Sequence, residues 1–297
     1  KIIKKHVLYY SCYTFKYYCF IKLLRRNYVL SYLNSKTENE PSPQNFTTKT
    51  KMSHKPPPKW LPLESNPSVL NDFSYALGLS TAYAWSDIFG FDDELLAMVP
   101  PNCRAVVLLF PITDKSERFQ KEEREDIENG KRSNEVSSNV YYMKQTVGNA
   151  CGTIGVFHAI MNNREDVLTN QNEDEENKNY FRRFFEKTKD MTPDERAKFV
   201  ELDTDLESYH ATAVNAGDTE VPSLDAKIDL HFIALVERDG RLYELDGRKQ
   251  SAIDHGEIER GDLLKQSVER VIKGFMERAD GSIHFGACAL AENSELF

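Results

Sequence analysis

Leu230-His231-Phe232-Ile233-Ala234-Leu235-Val236-Glu237-Arg238-Asp239-Gly240-Arg241-Leu242-Tyr243-Glu244-Leu245-Asp246 reads as two strands joined by a two-residue turn. Asp-Gly between apolar runs is a strong hairpin signal, because the tight turn that matches strand twist needs positive φ at both central positions. With Asp239 and Gly240 as the turn, Arg238 faces Arg241 and Asp246 faces Ile233. Side chains alternate along a strand, so His231 shares a side with Ile233 and is a diagonal neighbour of Asp246, roughly 7 to 8 Å away at the backbone. A carboxylate accepting from one imidazole nitrogen fixes the tautomer and leaves the other nitrogen to take a proton from a nucleophile. The same spacing suits an ordinary cross-strand surface pair equally well, so the hairpin acquires chemical meaning only with a partner from elsewhere.

Cys151 supplies that partner. It stands at the head of Gly152-Thr153-Ile154-Gly155-Val156-Phe157-His158-Ala159-Ile160, which reads as a buried helix. The partial positive charge of a helix N-terminus stabilises a thiolate, and a nearby imidazolium adds to it. A cysteine beside an apolar run without such a partner is ordinary core. Gln145, six residues upstream, carries an amide donor that, with the Cys151 backbone N–H, suits the oxyanion of a tetrahedral intermediate. Gly152-x-x-Gly155 lacks the basic neighbours of a nucleic-acid loop, and Gly148 to Gly155 lacks dinucleotide-binding spacing. His158 falls on the Cys151 face of the helix and reads as a core histidine. His210, His255 and His284 have no placed carboxylate or thiol partner, and Cys103 and Cys288 sit in strand patterns and read as structural.

Further out, Asn66-Pro67 supplies a cap and a first-turn proline for a helix closed by Gly78. A short helix is expected over Asp92 to Val99. Ala105 to Phe110 is a continuous apolar run, hence a strand buried on both faces. A charged helix is expected over Ser116 to Glu128, a strand over Val140 to Met143, and a capped helix from Thr192 to about Leu202. Gln171 to Asn179 reads as an acidic surface insertion, and Glu207 to Pro222 as a polar segment without either period. An amphipathic helix over Asp262 to Arg278 and a strand over Ile283 to Leu290 complete the body. The expected class is α/β, with a central mostly antiparallel or mixed sheet and helices on both faces.

Composition narrows the function. The first methionine of the 297 residues is Met52, and the Tyr-, Lys- and Asn-rich stretch before it lacks the pattern of the rest, so residues 1–51 read as non-native sequence. A basic, acid-poor mitochondrial presequence is the alternative. Its longest charge-free run, Val7 to Phe15, is far short of the ~20 residues of a spanning helix, so no membrane association is expected. The polar stretch from Lys36 ends in Pro56-Pro57-Pro58; residues 1–57 are thus expected to be a leader and 58–297 a single domain. Ten Lys and Arg against two Asp and Glu lie in residues 1–51, leaving 28 basic and 45 acidic residues, near −17, in the body. Such a surface repels phosphate backbones, excluding nucleic acid, and steers a basic protein partner inward, though solubility alone accounts for it equally well. Three dispersed cysteines in the body with no C-x-x-C pair suit a reduced cytoplasm rather than a zinc or redox site.

Lys144-Gln145-Thr146-Val147-Gly148-Asn149-Ala150-Cys151-Gly152-Thr153-Ile154-Gly155, with Asp229-Leu230-His231-Phe232-Ile233-Ala234 and Leu245-Asp246-Gly247-Arg248, resembles the ubiquitin C-terminal hydrolase family of cysteine peptidases, particularly its short single-domain isozymes. The similarity runs from Trp60-Leu61-Pro62-Leu63-Glu64 to the C-terminus. It implies a knotted papain-like fold, Cys151 as nucleophile, His231 as general acid and base, Asp246 as its orienter and Gln145 in the oxyanion hole. It further implies a crossover loop at Glu207 to Pro222, no metal or cofactor, and ubiquitin or a ubiquitin-like modifier as partner; a monomer is the default expectation. A ubiquitin-binding protein with low or gated turnover, and a thiol amidase without ubiquitin affinity, remain as competing functions.

Overall fold

The Asp239-Gly240 turn forms with φ of 53° and 73°, and the flanking residues pair from Arg238 with Arg241 to Ala234 with Leu245, the expected register. The computed structural model describes residues 59–168, 179–219, 222–223, 226–259 and 261–294. The elements all belong to the unit formed by Pro56–Gly217 and Val221–Phe297; of the other unit, Lys1–Lys55 with Asp218–Glu220, only Asp218 and Thr219 are described. The leader expected at 1–57 lies outside the described residues, as does the insertion up to residue 178.

Six strands, β1 (Tyr83–Asp87), β2 (Ala105–Pro111), β3 (Leu230–Arg238), β4 (Arg241–Leu245), β5 (Ile253–Glu257) and β6 (Gly286–Glu292), form one sheet in the order β1-β6-β2-β3-β4-β5. Among the described residues every pairing between these strands is antiparallel, the first of the two expected arrangements. The helices are α1 (Pro67–Leu77), α2 (Asp93–Leu96), α3 (Asp114–Glu128), α4 (Cys151–Asn162), α5 (Arg164–Val167), α6 (Tyr180–Thr188), α7 (Pro193–Leu202), α8 (Thr204–Asn215), α9 (Leu263–Ser267) and α10 (Lys273–Glu277), the last two joined by a π-helical turn (Val268–Ile272).

Strand alternation makes the sheet a two-sided wall. Val107, Ala234, Val236 and Leu290 belong to the same core cluster as Leu70 and Phe73 of α1 and Phe157 and Ile160 of α4. Val106, Leu108, Ile233, Leu235 and Ala289 belong to the other, with Leu263, Val271 and Phe275. The helix α4 is buried along its whole length after Cys151, as its uniformly apolar sequence demands.

Several expectations need correction. The expected strand Val140–Met143 is extended but joins no ladder. Its backbone bonds side chains instead: Asn162 accepts from the Tyr141 N–H and donates to its carbonyl, both at 2.8 Å, and the Met143 N–H donates to His158 Nε2 at 3.1 Å. The expected structureless run Glu207–Pro222 is helical as far as Asn215, within α8. Asp203 caps that helix, and Leu206, His210, Ala213 and Val214 are its buried stripe; beginning the segment at Glu207 hid the leading Leu206. The second helix is shorter than expected, Asp93–Leu96, and the last strand begins later, at Gly286. Cys103 precedes β2 rather than lying in a strand.

Gly78 shows how tightly the termini of these helices are fitted. Its φ is 109°, and an added Cβ would lie 2.3 to 2.5 Å from the Asn179 side chain. That side chain donates to the Gly78 carbonyl at 2.8 Å and caps α6 by accepting from the Arg182 N–H at 3.1 Å. Gly78→Ala should therefore strain one helix end and displace the cap of another, costing about 2–4 kcal/mol in thermal or denaturant unfolding.

Candidate active site

The turn into α4 is built by Asn149, whose φ of 61° is left-handed and whose Nδ2 donates to the Trp60 carbonyl at 3.0 Å. The Trp60 N–H in turn donates to Gly148 at 2.8 Å, so the strand-like entry at Lys59–Trp60 braces this turn. Cys151 is the first residue of α4, half-buried, and no side chain caps the helix there. The uncapped first-turn N–H groups leave their partial positive charge at this end of the helix. A Cβ at Gly152 would lie 2.9 Å from Leu63 and 3.4 Å from Phe232, so the helix start is pressed directly onto β3 beside His231.

His231 Nε2 lies 2.6 Å from Asp246 Oδ1, and both residues are buried. Asp246 follows the last paired residue of β4, and its Oδ1 also accepts from the Arg248 N–H at 2.9 Å. Phe110 packs edge-on against the imidazole. With Nε2 engaged by the carboxylate, Nδ1 is the nitrogen left to face Cys151, whose thiol lies close enough to influence the charge on His231. Burial opposes the imidazolium, but the Asp246 carboxylate outweighs it, helped by Cys151, and raises the His231 pKa above its ordinary value. Burial likewise opposes the Asp246 carboxylate, yet the His231 charge and hydrogen bond hold its pKa below the usual range.

The stability linked to His231 is therefore complete below its unfolded pKa of about 6.5 and is lost as pH rises toward the higher folded value. That linked to Asp246 is present above its unfolded value of about 3.9 and is lost as pH falls through the lower folded one. The stability difference between the native chain and Asp246→Asn, from thermal melts across pH, should thus be largest in mildly acidic buffer and shrink in both directions.

Gln145 is brought to the same place. Its backbone N–H donates to the Gly247 carbonyl at 2.8 Å, and Nε2 donates to the Val147 carbonyl at 3.1 Å, leaving its second amide proton for another acceptor. A Cβ at Gly247 would lie 2.9 Å from Gln145 Cβ and 3.1 Å from Ile154, so only glycine lets the Asp246 turn approach this closely.

The remaining histidines divide as follows. His158 is fully buried, stacks on Tyr142 and is pushed down to about 4 by burial, which suits a core role. His210 has partners that the sequence did not place: Nε2 donates to the Leu61 carbonyl at 2.7 Å, Nδ1 lies 2.8 Å from Thr153 Oγ1, and Trp60 packs on the ring. His255 also has a carboxylate, with Nε2 3.1 Å from Glu244. Cys103 is pushed up to about 12 by burial, the opposite of an activated thiol. Sequence reasoning missed Tyr142, whose hydroxyl holds the Asp246 turn, and the buried carboxylates Glu123 and Glu244 with the half-buried Lys249 behind it. A charged residue inside a strand pattern reads as solvent-facing, so no periodicity could have revealed Glu244.

The family model for ubiquitin carboxyl-terminal hydrolase, family 1, matches residues 60–277. Ubiquitin carboxyl-terminal hydrolase 3 of Arabidopsis thaliana is 46% identical over 237 residues, covering 80% of this chain and 95% of its own. The ubiquitin carboxyl-terminal hydrolase of Aplysia californica is 41% identical over 222 residues, covering 74% and 96%. Among solved structures, the Trichinella spiralis UCH37 catalytic domain bound to ubiquitin vinyl methyl ester shares the fold with a TM-score of 0.60 at 16% identity, covering 80% of this chain and 96% of that one.

Proposed function

This chain belongs to family 1 of the ubiquitin carboxyl-terminal hydrolases, and from that footing we propose that Cys151, His231, Asp246 and Gln145 carry out its thiol-dependent hydrolysis of adducts at the C-terminal glycine of ubiquitin. The observation that carries the assignment is the convergence of Cys151, His231 and Asp246, with a 2.6 Å His–Asp contact buried beneath a half-exposed thiol. The Cys151 thiolate attacks the glycine carbonyl and forms a tetrahedral oxyanion, which the Cys151 N–H and the spare Nε2 proton of Gln145 are suited to receive. The raised His231 pKa favours imidazolium in the resting state, so this ring first protonates the departing amine, alcohol or thiol. Now neutral, it takes a proton from water, whose oxygen attacks the thioester; the thiolate is expelled, the new carboxylic acid gives its proton to solvent, and the thiolate–imidazolium pair is restored. Asp246 keeps Nδ1 directed at sulfur in both half-reactions.

We further propose that the chain acts as a monomer in the cytoplasm, a reducing compartment that keeps the Cys151 thiol available; among the described residues no helix is long and apolar enough to cross a membrane. Ubiquitin carrying a C-terminal electrophile tests the assignment. One adduct per chain, mapped by mass spectrometry to Cys151, is expected; labelling at Cys103 or Cys288 would refute it.

A further inference from the structure

Tyr142 joins the two loops from which the site is assembled. Its carbonyl accepts from Arg196 Nη1 at 2.8 Å, and its ring stacks on His158 with centroids 5.2 Å apart and planes 14° from parallel. The hydroxyl oxygen lies 2.7 Å from the carbonyl oxygens of both Asp246 and Lys249. Those carbonyls mark the two ends of a turn closed by the Lys249 N–H, which donates to Asp246 at 2.9 Å. Three residues after Tyr142, the Gln145 N–H bonds the same turn at Gly247. The stacked, buried ring cannot rotate away, so one phenolic proton spans both ends of the turn that presents the Asp246 carboxylate.

We propose that Tyr142 is a positioning residue for the hydrolysis: its hydroxyl fixes the Asp246–Lys249 turn so that the Asp246 carboxylate meets His231 Nε2. The inference rests on the roles assigned above to Cys151, His231 and Asp246. Burial, reinforced by the nearby carboxylates of Asp246, Glu244 and Asp194, raises the phenol pKa, so Tyr142 stays a donor throughout the working pH range. His231 is faced by Asp246 and by Cys151 of α4; Asp246 is faced by His231, Lys249, Tyr142 and His158. Of these side chains, that of Tyr142 is the one that bonds both end carbonyls of the turn. A phenylalanine fills the same space but lets the turn shift, loosening the carboxylate from the imidazole and allowing the imidazolium to lose its proton at lower pH.

The test uses the full chain and single-turnover release of a fluorophore from the ubiquitin C-terminus across pH. Tyr142→Phe should lower the rate about three- to tenfold, the scale of one lost hydrogen bond, with half-saturating ubiquitin concentration unchanged. The alkaline limb of the rate profile should move to lower pH. In an Asp246→Asn background the same substitution should produce no further loss. A native rate and profile for Tyr142→Phe, or an equal loss with and without the Asp246 carboxylate, would overturn the proposal and leave Tyr142 as packing. Native turnover by Asp246→Asn alone would instead refute the assignment of Asp246, and the proposal with it, at the premise.

Discussion

Cys151→Ala should abolish turnover of ubiquitin C-terminal adducts, by at least about a thousandfold, because no acyl-enzyme forms without the sulfur. The loss should fall on chemistry and leave ubiquitin binding in place. Only the sulfur is removed, from a half-buried position at the start of α4, and the braces of that helix start are elsewhere: the Asn149 side chain on Trp60, and the Gly152 contact with Leu63. Initial rates of fluorophore release beside calorimetric ubiquitin titration separate the two effects. Cys103→Ala and Cys288→Ala provide the contrast, since neither thiol lies at the site and both should keep native rates. A Cys151→Ala chain with a rate within tenfold of native would remove the nucleophile from the account.

Lys249→Ala should produce the largest loss of stability, about 3–5 kcal/mol, because it removes the one ammonium shared by two buried carboxylates. The ammonium lies 2.5 Å from both Glu123 Oε2 and Glu244 Oε1, and the three side chains are 10%, 4% and 3% exposed. His255 on Glu244 and Arg132 on Glu123 extend the cluster, but each serves one carboxylate only. Burial opposes the Glu244 charge, and in the native chain Lys249, together with His255, more than offsets this, holding the carboxyl below its ordinary range. Without the ammonium, burial dominates and the carboxyl pKa rises. The native chain loses stability as pH falls through the depressed Glu244 value, whereas the variant is relieved by the same protonation. The gap between their melting temperatures, about 10 °C in neutral buffer for a body of this size, should therefore narrow on acidification. A variant within about 1 kcal/mol of native at neutral pH would show that the cluster adds little.

The parts of this molecule readable in its sequence are those fixed by local chemistry. The Asp239-Gly240 turn set the β3–β4 register, and with it the diagonal that brings His231 to Asp246. Asn66-Pro67 and Gly78 bounded α1 because caps are satisfied within a few residues. The extended stretch at Val140–Met143 was misread because its backbone partners, Asn162 and His158, lie 15 to 21 residues away on a helix rather than on a neighbouring strand. Half of the α8 stripe, His210 and Ala213, is polar or small, so its period is weak in apolar residues alone. The Cys–His–Asp chemistry could be argued from spacing, but its support could not: Tyr142, Glu123, Glu244 and Lys249 are polar residues whose burial depends on which elements pack together.

The most direct test of the central claim is the rate at which the purified full chain releases a fluorophore from the ubiquitin C-terminus, before and after Cys151 is alkylated. Rapid release that alkylation abolishes is the predicted result. Tight ubiquitin binding without release from the unmodified chain would contradict it and identify a binding protein whose triad does not turn over.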